Sequence, residues 1–125
     1  MMTLGRPILG IAAAAAITLV PATGAFAHAH LVRATPAAGG TVREVPTEVL
    51  LRFNEKIESA FSSVVVRDST GKQIDKNDAQ VDKADRLQMR VSLPPLSPGT
   101  YKVEWRVMSA DTHKVNGNFT FVVGE

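Results

Sequence analysis

Apolar and polar residues alternate in four segments of the chain, and this alternation predicts β-strands. Successive side chains of a strand point to opposite faces, so a half-buried strand carries an apolar residue at every second position. The four segments are Thr47 to Phe53, Arg86 to Val91, Thr100 to Met108 and Asn116 to Val123. The apolar face of the third carries Tyr101, Val103, Trp105 and Val107. We expect Trp105, the largest of them, to anchor the core.

Shorter segments predict further strands and the turns between them. Leu31 to Arg33 and the β-branched run Ser63 to Arg67 are strand candidates, and Asp68 to Gly71 predicts the turn of a hairpin that continues into Lys72-Gln73-Ile74. Asn54 to Phe61 has mixed polarity and predicts a loop or a helical turn. Asp75 to Asp85 is rich in aspartate without the spacing of an EF-hand calcium loop, and we interpret it as a solvated loop.

About seven short strands, separated by turns and accompanied by no long helix, predict an all-β protein. This pattern is typical of an antiparallel β-sandwich of Greek-key, immunoglobulin-like type. The chain shows no internal repeat in this part.

The first 27 residues have the pattern of a secretory signal peptide. Arg6 precedes an apolar run from Ile8 to Val20, and Ala25-Phe26-Ala27 is a small-x-small cleavage site. The run is too short for a membrane-spanning helix, which needs about 20 apolar residues. We therefore predict cleavage after Ala27, a soluble exported product and a single domain over residues 28–125.

Composition excludes several classes of function. The chain has no cysteine, so disulfides, thiolate catalysis and blue-copper sites are excluded. Without Arg6, thirteen Lys and Arg balance the twelve Asp and Glu, which argues against a nucleic-acid surface. No arrangement of nucleophile, base and oxyanion hole is visible, so hydrolysis has no support. We expect the protein not to be an enzyme.

The three histidines of the chain point to a metal site. Cleavage after Ala27 makes His28 the first residue, and its free α-amine and ring Nδ1 can then chelate one metal ion. His30 lies two positions on, and His113 follows Asp111 by two residues, a spacing that places both side chains on one side of extended backbone. Because loops gather at the two ends of a sandwich, His28, Asp111 and His113 can meet.

Three nitrogens and one oxygen suit Cu(II), which prefers planar N,O ligation. Zn(II) could bind the same donors less tightly and in tetrahedral geometry. Cu(I) would need several thioethers, and outside the first 27 residues the chain offers only Met89 and Met108. The plain alternatives are a polar N-terminus for His28 and His30, and an ordinary exposed turn at Asp111 and His113.

These residues resemble the CopC family of periplasmic copper-binding proteins along nearly all of residues 28–125. The matching motifs are His28-Ala-His-Leu31, Ala34-Thr-Pro-Ala37, Leu51-Arg-Phe-Asn-Glu55, Ser97-Pro-Gly-Thr-Tyr-Lys-Val-Glu-Trp105, Ser109-Ala-Asp-Thr-His113, Gly117 and Phe119 to Val123. The resemblance implies a Greek-key β-sandwich that binds one Cu(II) per chain through His28, Asp111 and His113. Some members also hold Cu(I) in a methionine-rich segment, which Asn54 to Asp85 lacks.

The resemblance also implies auxiliary residues and partners. Glu55 becomes a candidate acceptor of a hydrogen bond from a metal ligand, with an exposed turn carboxylate as the alternative. His30 becomes a neighbouring or auxiliary ligand. We expect a periplasmic, monomeric copper carrier or buffer, with a membrane copper importer of the CopD type as partner.

Three other hypotheses remain at this point. An N-terminal histidine chelate also resembles the copper brace of polysaccharide monooxygenases, which would make the protein an oxidative enzyme. The peptide His28-Ala29-His30 alone can bind Cu(II) through its amine, two deprotonated amides and the His30 ring. A sandwich domain for protein interaction would bind no metal at all.

Overall fold

Eight β-strands and one 3-10 turn make up the secondary structure of the protein in a computed structural model that describes Gly5 and residues 29–125. The strands are β1 (Leu31–Thr35), β2 (Thr41–Val42), β3 (Glu48–Phe53), β4 (Ser63–Arg67), β5 (Gln80–Val81), β6 (Gln88–Ser92), β7 (Gly99–Met108) and β8 (Lys114–Val123). The turn of 3-10 helix spans Ser59–Phe61. His28 and the predicted signal peptide, apart from Gly5, lie outside the described residues.

The strands form two four-stranded sheets, in the orders β1-β3-β6-β5 and β2-β8-β7-β4. The predicted all-β sandwich is confirmed. The pairs are antiparallel except β2 with β8, which is parallel. The prediction of about seven strands did not include β2 and β5, because two residues are too few to show an alternating pattern.

The core lies between the sheets and is built by the alternating positions that the sequence predicts. Val49, Leu51 and Phe53 of β3 are buried, as are Tyr101, Val103, Trp105 and Val107 of β7 and Phe121 and Val123 of β8. The Trp105 ring meets Phe53 edge to face, with ring centroids 5.3 Å apart, a preferred aromatic arrangement. Trp105 therefore has the anchoring role expected of it.

Two connections differ from the sequence prediction. The hairpin after β4 is reduced to a single bridge between Arg67 and Gln73, although Gly71 does supply the left-handed turn with φ of +88°. The stretch Asp75 to Asp85 contains β5 and is more ordered than a plain solvated loop. Its order comes from side-chain acceptors: Asp75, for example, accepts a hydrogen bond from the Val66 N–H at 2.8 Å.

Within residues 29–125, no helix combines the length and apolar character needed to cross a membrane.

The close approach of Trp105 to Gly117 makes a glycine necessary at that position. Gly117 pairs with Trp105 across β7 and β8, and a Cβ atom built on it would lie 2.3 Å from the indole ring. We expect Gly117→Ala to lower the free energy of unfolding by roughly 1–3 kcal/mol, the usual cost of overpacking a core. Urea unfolding measures this, and Gly124→Ala, whose Cβ would meet nothing closer than 3.6 Å, is the matched control. Equal stability of both variants would contradict the argument.

Candidate metal site

A tight turn from Ser109 to His113 connects β7 to β8. The Ser109 N–H donates to the His113 carbonyl at 2.9 Å, and the Thr112 N–H donates to the Ser109 carbonyl at 2.8 Å. These two backbone hydrogen bonds fix the turn independently of its side chains. The side chains of the turn are therefore presented from a defined backbone at the end of the sandwich.

Asp111 and His113 are in contact within this turn. His113 Nδ1 lies 3.0 Å from Asp111 Oδ2, while the Ser109 hydroxyl donates to Asp111 Oδ1. The Ser109 hydrogen bond, with further contacts from His113, holds the pKa of the Asp111 carboxyl below its ordinary value of 3.8, although partial burial opposes the shift. The His113 side chain is 57% exposed. The pair is thus an ionised carboxylate and an imidazole, side by side and open to solvent.

The backbone reason for this contact differs from the one that the spacing suggested. Asp111 and His113 were expected on one side of an extended strand, but the residue between them, Thr112, has φ of +73°. β-Branched residues rarely adopt this left-handed region, and such a position typically costs about 1–3 kcal/mol. The two side chains are brought together by a strained turn and not by strand alternation.

A second segment, residues 54–58, lies against the turn and joins the two sheets at this end. The Ala110 N–H donates to the Lys56 carbonyl at 2.9 Å, which fixes the segment to the turn. The Ile57 N–H donates to the Arg86 carbonyl at 2.9 Å, which fixes the segment to the connection that leads into β6 of the other sheet. Ile57 itself is completely buried. This segment is therefore a rigid platform beside Asp111 and His113.

The first described residues of the domain are attached to the same segment. The His30 N–H donates to Asn54 Oδ1 at 2.6 Å, and the Asn54 N–H donates to the His30 carbonyl at 3.0 Å. Ala29 is 1% exposed and belongs to the hydrophobic core. The start of the chain and the Ser109–His113 turn thus contact one short segment, through Asn54 and Lys56, two residues apart.

The residues predicted for the site are found as follows. Asp111 and His113 are together and exposed, and His28 lies outside the described residues. Glu55 is half-buried and lies between the two residues that hold the start of the chain and the turn. The His30 side chain is exposed, next to this segment. Among the residues that the structure describes, no three His, Cys, Asp or Glu side chains are grouped as metal ligands.

Two residues of the site were not predicted from the sequence. Asn54 anchors the start of the chain, and nothing in its local pattern indicates this role. Ser109 donates to Asp111 and is fully buried, at 0% exposure. The alternation of β7 does contain a signal for it, since position 109 continues the inward-facing series and is the first polar residue there.

Comparison with known proteins identifies the family. The model of the CopC domain matches residues 31–124. The chain belongs to the CopC family. Among its relatives is protein YobA of Escherichia coli (strain K12), 38% identical over 99 residues that cover 78% of this chain and 80% of YobA.

Two solved structures of the CopC family resemble the fold over 78% of this chain. One is CopC from Methylosinus trichosporium OB3b, with a TM-score of 0.73, 37% identity and 94% of that chain covered. The other is PcoC from Escherichia coli, described as a methionine-rich copper resistance protein, with a TM-score of 0.66, 32% identity and 99% of that chain covered. The family relation confirms the predicted sandwich, and it confirms that the protein is not an enzyme, since CopC proteins are copper-binding carriers.

Proposed function

We propose that the protein is a periplasmic copper carrier that binds one Cu(II) ion through His28, Asp111 and His113. Copper binding as a family property is supported by the CopC relation. The observation that carries the specific site is the arrangement at one end of the sandwich. There the Asp111–His113 pair and the beginning of the domain are held by the same segment, residues 54–58.

The Asp111–His113 pair has the separation expected of two adjacent ligands. His113 Nδ1 and Asp111 Oδ2 lie 3.0 Å apart, an ordinary hydrogen-bond distance. Metal bonds of about 2.0–2.2 Å place neighbouring ligands at right angles roughly 2.8–3.1 Å apart, so both atoms can bind one ion with little movement. A carboxylate that is already ionised adds a hard oxygen donor, which favours Cu(II) over Cu(I).

The position of Ala29 supports a role for His28. Ala29 is buried in the core, and its neighbour His30 is hydrogen-bonded on both backbone groups to Asn54. Residue 28 directly precedes this fixed point in the chain, and we propose that its amine and ring bind the same ion as Asp111 and His113. Export and cleavage after Ala27 would create the free amine.

The same contacts argue against copper binding by the terminal peptide alone. That mode requires deprotonated backbone amides at residues 29 and 30, and the His30 N–H is already donated to Asn54. Binding in this way would break that hydrogen bond and withdraw Ala29 from the core. We therefore assign His30 an auxiliary position and propose Glu55 as an outer acceptor that orients a ligand.

The transport role follows from the same site. An exposed, three-residue site allows a receiving protein to approach the ion, which suits delivery better than permanent storage. We propose that the processed domain is a monomer and delivers copper to an inner-membrane transporter of the CopD type. Methionine does not provide a second site, because Met89 is buried in the core and Met108 lies within β7.

Titration of the processed protein with Cu(II), followed by EPR spectroscopy, tests this function. We expect saturation at one equivalent, with a spectrum of tetragonal Cu(II) that shows three equatorial nitrogens. Absence of Cu(II) binding by protein whose first residue is His28 would leave a non-metal interaction domain as the function.

A further inference from the structure

One inward-facing position of the sandwich is occupied by a hydroxyl instead of an apolar group. The buried side chains of β7 follow at every second residue, and Ser109 takes the next inward place. It is 0% exposed and is the one polar residue in the buried class among residues 29–125. A buried hydroxyl must be hydrogen-bonded to avoid a desolvation penalty, and an apolar side chain has no such requirement. For packing alone, an apolar side chain would therefore serve at least as well at this position.

The Ser109 hydroxyl meets this requirement with the candidate metal ligand itself. It donates to Asp111 Oδ1, and it also lies 3.3 Å from the His113 carbonyl oxygen. Asp111 Oδ2, the other carboxylate oxygen, is the one that faces His113 Nδ1. The hydroxyl thus forms a hydrogen bond with one carboxylate oxygen of Asp111, while the second oxygen is directed towards the imidazole of His113.

We propose that Ser109 is the positioning residue of the copper site, an inference that rests on the proposed function. By holding Oδ1, Ser109 fixes the rotation of the carboxylate and makes Asp111 a ligand through Oδ2 alone. Without the hydroxyl, the carboxylate keeps only its contacts with His113, from Nδ1 to Oδ2 at 3.0 Å and from the backbone N–H to Oδ1 at 3.5 Å. It is then less ordered before copper binds. Groups that orient metal ligands in this way commonly contribute roughly 10–100-fold to metal affinity.

We expect loss of the Ser109 hydroxyl to weaken copper binding and to leave the stability of the fold nearly unchanged. In Ser109→Ala, the exposed Asp111 oxygen is hydrated by water, and the buried position gains an apolar methyl group in place of a polar one. The melting temperature of the metal-free protein should then stay within about 5 °C of wild type. The affinity for Cu(II) should nevertheless fall by about tenfold.

A double-mutant cycle tests the proposal on the processed protein, with Cu(II) affinity measured against a competing chelator. Ser109→Ala should weaken binding in the wild-type background and have no further effect in the Asp111→Ala background, because its effect passes through that carboxylate. The EPR hyperfine values of Ser109→Ala should also differ from wild type. Ser62→Ala, which loses a hydroxyl bonded to backbone groups of Glu58 and Met108, is the matched control and should bind copper like wild type.

The outcomes separate this inference from the proposed function. If wild type binds Cu(II) and Ser109→Ala binds equally well, or loses affinity equally in both backgrounds, the positioning role is wrong and the copper site stands. If wild type does not bind, both fail. If Ser109→Ala melts far below wild type, Ser109→Thr, which retains a hydroxyl, is measured instead. Cu(II) affinity close to wild type in Ser109→Thr supports the proposal, and a loss of affinity equal to that of Ser109→Ala overturns it.

Discussion

Replacing Asp111 or His113 by Ala should lower the affinity for Cu(II) by at least about a hundredfold, since the loss of an outer-shell partner alone commonly lowers metal affinity by roughly 10–100-fold. Each substitution removes one donor of the proposed four-donor site and also the hydrogen-bonded neighbour that orients the other. The turn that carries them is closed by backbone hydrogen bonds from Ser109 and Thr112, so the backbone should remain in place. Competition titration with a chelator of known affinity measures the loss.

His30→Ala is the matched control for these two variants. It removes an exposed imidazole from the same end of the sandwich but leaves the backbone contacts of residue 30 with Asn54 intact. We expect a small change in affinity. If His30→Ala abolished binding while the Asp111 and His113 variants bound normally, the ion would be held by the terminal peptide, and the role of the Ser109–His113 turn would be disproved.

The longer strands were predictable because burial on one face imposes a period of two on the sequence. β3, β6, β7 and β8 are 5–10 residues long, which is enough for that period to be visible. β2 and β5 contain two residues each and are defined by hydrogen bonds to a partner strand. The pairing of such a short strand depends on a second segment elsewhere in the chain, so no local sequence pattern predicts it.

The candidate site residues were proposed from chemistry, and the geometry of Asp111 and His113 was not foreseen. A chain without cysteine offers few metal donors, and this directs attention to its histidines and to the aspartate beside His113. The left-handed backbone of Thr112 was not foreseen, because a β-branched residue normally disfavours it. The contribution of Asn54 was hidden for another reason: it depends on which segment lies between the start of the chain and the turn, which only the folded structure provides.

The strained backbone at Thr112 and the hydroxyl of Ser109 have a common consequence for the site. Both hold the Asp111–His113 pair in one arrangement before any ion binds, and that arrangement is offered on a rigid end of the sandwich. An ion that binds there orders few protein groups, which favours affinity. The remaining variable is the N-terminal chelate, whose existence depends on where the chain is cut.

A protein that begins two residues earlier, with Phe26-Ala27 ahead of His28, should therefore bind Cu(II) at least about a hundredfold more weakly than one that begins at His28. The extension converts the α-amine of His28 into an amide, so that a deprotonatable donor and the six-membered chelate are lost together. No side chain of the domain changes. The loss again exceeds the roughly 10–100-fold typical of groups that only orient a ligand, because the proposed site loses a direct ligand.

Mass spectrometry establishes the first residue of each preparation, and a chelator competition compares their affinities. The melting temperatures of the two metal-free forms should agree, since the extension lies ahead of Ala29, the first of the described residues that packs in the core. A form beginning with Ala27 should behave like the longer one, because a single added residue already removes the amine from His28. If all three bound Cu(II) with the same affinity, the N-terminal chelate would be absent from the site, and copper would have to be held by Asp111, His113 and donors other than the terminus.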